Sequence, residues 1–219
     1  MAMNFEQARQ NMVENQVRPA EVLDFDVLDT LKAVRREDFV APEHRNVAFA
    51  DLTLPIGHGE VMMKPVIEGR TLQAVALNKT DEVLEIGTGS GYLTACLAHL
   101  AGKVTSIDMH ADFVEAARQR LAAAGVTNVT LATAEAVNGY DPKAVFDAIV
   151  VTGAVHAVPE KFVRWLKPGG RMFVVRGDSP AQTAVLLTHE GDGRYREESL
   201  LETDLPYLAH AAPVKRFVL

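Results

Sequence analysis

Apolar positions change their period along the chain, and the changes divide it into zones. Between Phe5 and Val40 they recur at helical spacing. Phe25, Val27, Leu28, Leu31 and Val34 are predicted on one helix face, and Arg35, Arg36, Glu37 and Asp38 close the segment with charge. From Ala41 to Lys64 no period is sustained, and Pro42, Pro55, Gly57 and Gly59 interrupt the run. A connection that long inside a compact domain is usually functional or disordered. Pro65 suits the first turn of a helix reaching about Leu77, because that position needs no backbone N–H.

After Thr80 short apolar runs alternate with amphipathic ones. EVLEIG reads as a buried strand, YLTACLAHL as a helix, KVTSID as a strand, and ADFVEAARQRLAAA as a helix with Phe113, Ala117, Leu121 and Ala124 on one side. NVTLAT and FDAIVV follow as strands, then a helix from about Pro159 to Leu166, a Pro168-Gly169-Gly170 turn, and RMFVVR as a fifth strand. Alternation of this kind requires a parallel sheet with helices on both faces. AVLLTHE, YREESLLE and VKRFVL, around a Gly191-Asp192-Gly193 turn, read as late strands completing it. The fold class is therefore α/β, a doubly wound, mostly parallel, Rossmann-like sheet with an N-terminal helical extension. Residues 1–78 carry the helices and a covering loop, and residues 79–219 form the core.

Composition narrows the class. The 219 residues can bury a core without staples, and the single cysteine can form neither an internal bridge nor a zinc cluster. Cys96 sits in an apolar helix run and is expected to be packing. No apolar run approaches the roughly 18 residues of a membrane span, and the polar start does not read as a signal peptide, so a soluble, cytoplasmic protein without a membrane partner is expected. Acidic residues outnumber basic ones, 29 to 22, with no basic cluster, which disfavours a nucleic-acid partner. The seven histidines do not fall at metal-ligand spacing, so no metal is expected.

In an open parallel sheet, ligands bind beyond the carboxyl ends of the strands, where strand order reverses. The first strand of the alternating series ends in VLEIGTGSGY, with Gly87, Gly89 and Gly91 at G-x-G-x-G. Glycines there let the backbone turn sharply and approach a ligand closely. The dinucleotide fingerprint spaces its third glycine one residue further on, and Glu85 is unattractive beside phosphates. A carboxylate suits a cation instead, and S-adenosylmethionine carries a sulfonium, an ammonium and no phosphate. Asp108 ends the next strand 21 residues beyond Gly87, where a carboxylate would grip a ribose diol. Taken alone the glycine turn is equally a packing device; strand, helix and both acids in register point to the cofactor.

At these residues the chain resembles the protein-L-isoaspartate O-methyltransferase family, over nearly its whole length. RREDFVAPEH, AFADLTLPIGHGEVMMKP, VLEIGTGSGYLTACLA, NVTLATAEAVNGY, FDAIVVTGA and LKPGGRMFVV are similar to successive blocks of that family, the stretch from Leu54 to Pro65 most specifically. The resemblance implies a class I methyltransferase that uses S-adenosyl-L-methionine to methylate a carboxylate in damaged protein. It implies cofactor contacts at Glu85, Gly87, Thr88, Gly89, Ser90, Gly91, Asp108, Met109, Glu135, Ala136 and Thr152. Substrate contacts fall on His58, Gly59, Met62, Met63 and Lys64, in a loop from about Ala50 to Lys64 that closes over the cofactor.

The chain also departs from the family. Met63 stands where the family has a serine, Glu60 where it has a glutamine, and Ala134 and Ala136 where it has glycines. No catalytic residue is therefore assigned. Carboxylate methylation needs no general base, because the acceptor is already ionised at neutral pH and alignment supplies most of the rate. Met62, Met63 and Lys64 predict a substrate lip more apolar and more cationic than the family's. The methyl acceptor is a protein or peptide carboxylate, or else another peptide or a small molecule; a protein that only holds the cofactor is the third reading. Thr152-Gly153-Ala154 stands where amino-group methyltransferases carry an Asn/Asp-Pro-Pro-Tyr element, which disfavours methylation of nitrogen.

Overall fold

The structure is a computed structural model and describes residues 3–214. A short helix α1 (Phe5–Met12) is capped by the Asn4 side chain, which accepts from the Gln7 N–H. It continues through a π turn (Val13–Val17) and a 3-10 turn (Arg18–Ala20), and Asp24 then caps α2 (Phe25–Ala33) through the N–H groups of Asp26 and Val27. Val27, Leu28 and Leu31 are buried as the period predicts, but Phe25 is 73% exposed. At roughly 100° per residue the first helical position lies on the side away from Val27 and Leu31.

The aperiodic stretch holds a 3-10 segment (Pro42–Val47) and a two-stranded hairpin, β1 (Leu54–Gly57) and β2 (Glu60–Met62). Helix α3 (Pro65–Val75) begins on proline as expected. Then come β3 (Glu82–Ile86), α4 (Tyr92–Leu100), β4 (Lys103–Asp108), α5 (Ala111–Ala123), β5 (Val129–Thr133), β6 (Phe146–Val155), α6 (Glu160–Arg164), β7 (Leu166–Arg176), β8 (Gln182–Gly191) and β9 (Arg194–Thr203). Two local expectations change. Ala124 is an exposed cap of α5 rather than part of its buried face, and the Pro168-Gly169-Gly170 turn is absorbed into β7 as a register shift against β6. The β8–β9 hairpin closes on Asp192-Gly193, both at positive φ (52° and 71°), the backbone that a two-residue turn between twisted strands requires. Most of the stretch VKRFVL lies outside the described residues.

The main sheet orders its seven strands β5-β4-β3-β6-β7-β8-β9, the first five parallel, β8 antiparallel to β7 and β9 antiparallel to β8. Strand order reverses between β3 and β6, so the crevice beyond their carboxyl ends is the expected ligand position. Alternation along β3 divides the core. Val83 joins the cluster that runs through α2, α3, α4 and the N-terminal segment, while Leu84 and Ile86 join the one under α6, with Phe162 and Trp165. The N-terminal helices share their apolar cluster with the sheet, from Met12 and Leu31 through Leu97 to Val150 and Phe173.

Candidate active site

Beyond β3 and β6 lies an open cleft of about 80 Å³, with a smaller inner chamber of about 40 Å³ beside it. Ile56, Val61, Gly87, Gly89 and Thr152 line both. The glycine turn forms the floor. Gly87 has φ +98°, and the Thr152 hydroxyl donates to the carbonyls of Ile86 (3.0 Å) and Gly87 (2.7 Å), tying the turn to the end of β6.

The acids predicted from the sequence stand around this floor. Asp108 ends β4 and is 7% exposed; its carboxylate accepts from the N–H groups of Gly89 and His110, both at 2.9 Å, and it lines the main cleft. Met109, Glu135, Ala136 and Thr152 line the same cleft. The Glu135 carboxylate also caps its own turn by accepting from the N–H groups of Val137 and Asn138.

Glu85 faces the inner chamber with Thr88 and Ser90. It is fully buried on the α4 side of the sheet, where one oxygen accepts from the Ser106 hydroxyl at 2.6 Å and from the Thr94 hydroxyl. Its other oxygen, Oε1, has no protein partner among the described residues. Burial pushes the Glu85 carboxyl up to about 8, against the pull of the two hydroxyl donors. Gly91 lines neither chamber; it caps α4 and packs against Ala117.

The substrate-loop residues divide. Met62 and Met63 are buried, 4% exposed each, and line the inner chamber. Lys64 is exposed and lines neither space, so the lip carries no cation there. His58 and Gly59 form the hairpin tip outside the cleft. His58 meets Asp112 of α5 at 2.8 Å and stacks on His110 with ring centroids 4.0 Å apart, although 52 residues separate the two histidines. His156, just after β6, lines neither space and pairs with Asp178, and Cys96 is buried, its thiol pushed up by burial.

Several lining residues carry no sequence signal for this role. Ile56, Glu60 and Val61 reach the cleft from the hairpin, and Phe113 from α5. Leu208 and Ala209 come from a strap after β9, held across the end of β6 by reciprocal backbone bonds of Ala154 with Pro206 and Leu208, each 2.8 Å. Glu68 reaches the inner chamber from α3. It is buried against Arg36, which also donates to the carbonyls of Ala48 (2.8 Å) and Met63 (2.7 Å) and lies over the Tyr92 ring.

The charge pattern is one-sided. Glu60, Glu68, Glu85, Asp108 and Glu135 line the two chambers, and among the described residues no lysine or arginine does. Glu68 is offset by Arg36 and burial favours the protonated form of Glu85, but a lining that offers acids and no lysine or arginine still suits a cation better than a pyrophosphate.

Comparison with known proteins agrees with the geometry. The profile of the protein-L-isoaspartate(D-aspartate) O-methyltransferase family matches residues 7–207. A protein-L-isoaspartate O-methyltransferase of Methylorubrum extorquens is 41% identical over 189 residues, covering 86% of this chain and 82% of its own. One from Methanoculleus marisnigri is 39% identical, covering 84% of each chain. A Plasmodium falciparum crystal structure described as this methyltransferase in complex with S-adenosyl-L-homocysteine shares the fold at a TM-score of 0.81, over 91% of this chain and 97% of its own, with 20% identity. Sequence and fold together place the chain in the protein-L-isoaspartate O-methyltransferase family.

Proposed function

We propose that the chain is an S-adenosylmethionine-dependent protein-L-isoaspartate O-methyltransferase, which transfers a methyl group to a carboxylate in damaged protein or peptide. The observation that carries the cofactor assignment is the acidic lining of the cleft and inner chamber, with no lysine or arginine there among the described residues, and in the chamber the orphaned, buried Oε1 of Glu85. An unpaired buried acceptor is costly unless a donor arrives, and an ammonium is such a donor. On this reading Glu85 holds the amino group, Asp108 the ribose hydroxyls, and Glu135 with Ala136 the base. The cofactor supplies an electrophilic methyl on a positive sulfur.

The chain's own residues supply position and apolar surface. Met62, Met63 and Leu93 give the inner chamber an apolar wall beside the region where oxygen, carbon and sulfur must align. The acceptor carboxylate arrives ionised, so no residue has to remove a proton. Met63 offers no hydroxyl to orient it. A neutral hydrogen bond contributes about 0.5 to 1.5 kcal/mol, so its absence lowers the rate by roughly 2- to 12-fold and leaves the reaction possible.

The test is methyl transfer from labelled cofactor to an isoaspartyl peptide, with the matched aspartyl peptide as control. Transfer to the first and not to the second is expected. Cofactor binding with transfer only to other peptides or small molecules would move the acceptor elsewhere. Binding with no product across an acceptor panel would leave a protein that holds the cofactor without using it.

A further inference from the structure

The hairpin tip and the start of α5 bring together three metal-ligating side chains that the methyl-transfer reading does not use. His58 comes from the turn between β1 and β2, His110 from the cap of α5, and Asp112 from that helix's first turn. One ligand atom from each lies within 4.8 Å of the other two, and His58 Nε2 is already 2.8 Å from Asp112 Oδ2. In a tetrahedral zinc site, bonds of about 2.0 to 2.1 Å leave ligand atoms roughly 3.3 Å apart, so the observed spread brackets the required one. We propose that His58, His110 and Asp112 form a binding site for a borderline divalent transition-metal ion such as Zn2+, clipping the hairpin to α5 at the mouth of the cleft.

Two imidazoles and one carboxylate match the ligand preference of Zn2+ and its neighbours rather than that of Ca2+ or Mg2+, which take oxygen sets. Three protein ligands leave a fourth position for water. The one movement needed is local. The two imidazoles stack with only 10° between their planes, and parallel rings cannot aim their lone pairs at one point. Rotation about a Cβ–Cγ bond is soft, and His58 and Asp112 are exposed enough to turn.

The position gives the ion a consequence. The hairpin contributes Ile56, Glu60 and Val61 to the cleft, and the other lip contributes Met109, His110 and Phe113. The hairpin strands are only four and three residues long. An ion bound to both lips joins them directly, so occupancy restrains the hairpin without entering the floor of the cleft.

The site is tested on the full, tag-free chain with Zn2+ alone, in competition with a chromophoric chelator. One equivalent bound by the wild type is expected, at least tenfold more weakly in each of His58→Ala, His110→Ala and Asp112→Asn, and unchanged in His99→Ala, whose side chain is exposed elsewhere. Circular dichroism establishes that the variants are folded. Absence of stoichiometric binding, weakening in only one of the three variants, or equal affinity for Ca2+ would overturn the site. With Zn2+ bound, amide exchange at residues 56–61 is expected to slow at least tenfold; unchanged exchange would overturn the clip. None of these readouts involves methyl transfer.

Discussion

Thr152 Oγ1 occupies the space that a side chain on Gly87 would need: an ideal Cβ there would lie 2.1 Å from it. The glycine is therefore fixed twice, by this contact and by its φ of +98°, which costs other residues about 1–3 kcal/mol. Gly87→Ala is expected to push the turn away from β6, break the hydroxyl contacts to Ile86 and Gly87, and weaken cofactor binding by tenfold or more. Gly87→Ala combined with Thr152→Ala removes the clash and leaves the dihedral strain, so partial recovery is expected by calorimetry. Full recovery would show that φ does not matter there.

Asp108 is held by two backbone N–H groups before any ligand arrives, so its variants act on both ribose contacts and the shape of the glycine turn. Charge-assisted hydrogen bonds contribute about 1.5 to 3 kcal/mol each, which makes Asp108→Ala at least tenfold weaker for S-adenosylhomocysteine. Asp108→Asn retains one acceptor oxygen and is expected to lose less. Unchanged affinity in the alanine variant would remove Asp108 from the site.

Much of this was legible in the chain. Buried strands read as apolar runs, which makes β3, β4 and β6 legible, while the edge strand β5 carries no buried residue and is legible from its place in the alternation; Glu85 and Asp108 stand out as acids beside the glycine turn and at the end of the next strand. What escaped depends on contacts between distant residues. The hairpin strands are too short to set up a period, and the strap bearing Leu208 reaches the cleft only through its pairing with Ala154. Glu68 reads as an ordinary exposed glutamate until Arg36, 32 residues earlier, is seen to cover it. Lys64 errs the other way, since its neighbours Met63 and Pro65 are buried while it faces outward.

The Arg36–Glu68 pair joins the N-terminal segment to the inner chamber. Both side chains are buried, and burial pushes the Glu68 carboxyl up while Arg36 pulls it back. Arg36→Met removes the opposing charge and strands the Ala48 and Met63 carbonyls, at a cost of roughly 3–5 kcal/mol. Arg36→Met with Glu68→Leu leaves no buried charge, so the double variant is expected to be at least about 1 kcal/mol more stable than the sum of the single costs implies. Urea melts of the four proteins measure the coupling, and simple additivity would mean that the pair does not act as a unit.

Glu85 links stability and cofactor binding to pH. Its carboxyl is raised from 4.5 to about 8 in the folded chain, so the native state binds a proton that the unfolded state releases. The stabilising contribution is complete below about pH 4.5 and is lost as pH rises through 8. Between pH 5.5 and 8.5 the melting temperature of the wild type should therefore fall relative to that of Glu85→Gln, which cannot titrate. An ammonium placed at Oε1 favours the ionised form, so binding of S-adenosylhomocysteine at pH 7 should expel close to one proton from the wild type and none from Glu85→Gln. Calorimetry in two buffers of different ionisation enthalpy counts that proton. Equal counts in the two proteins would show that the ligand's amino group does not rest on Glu85.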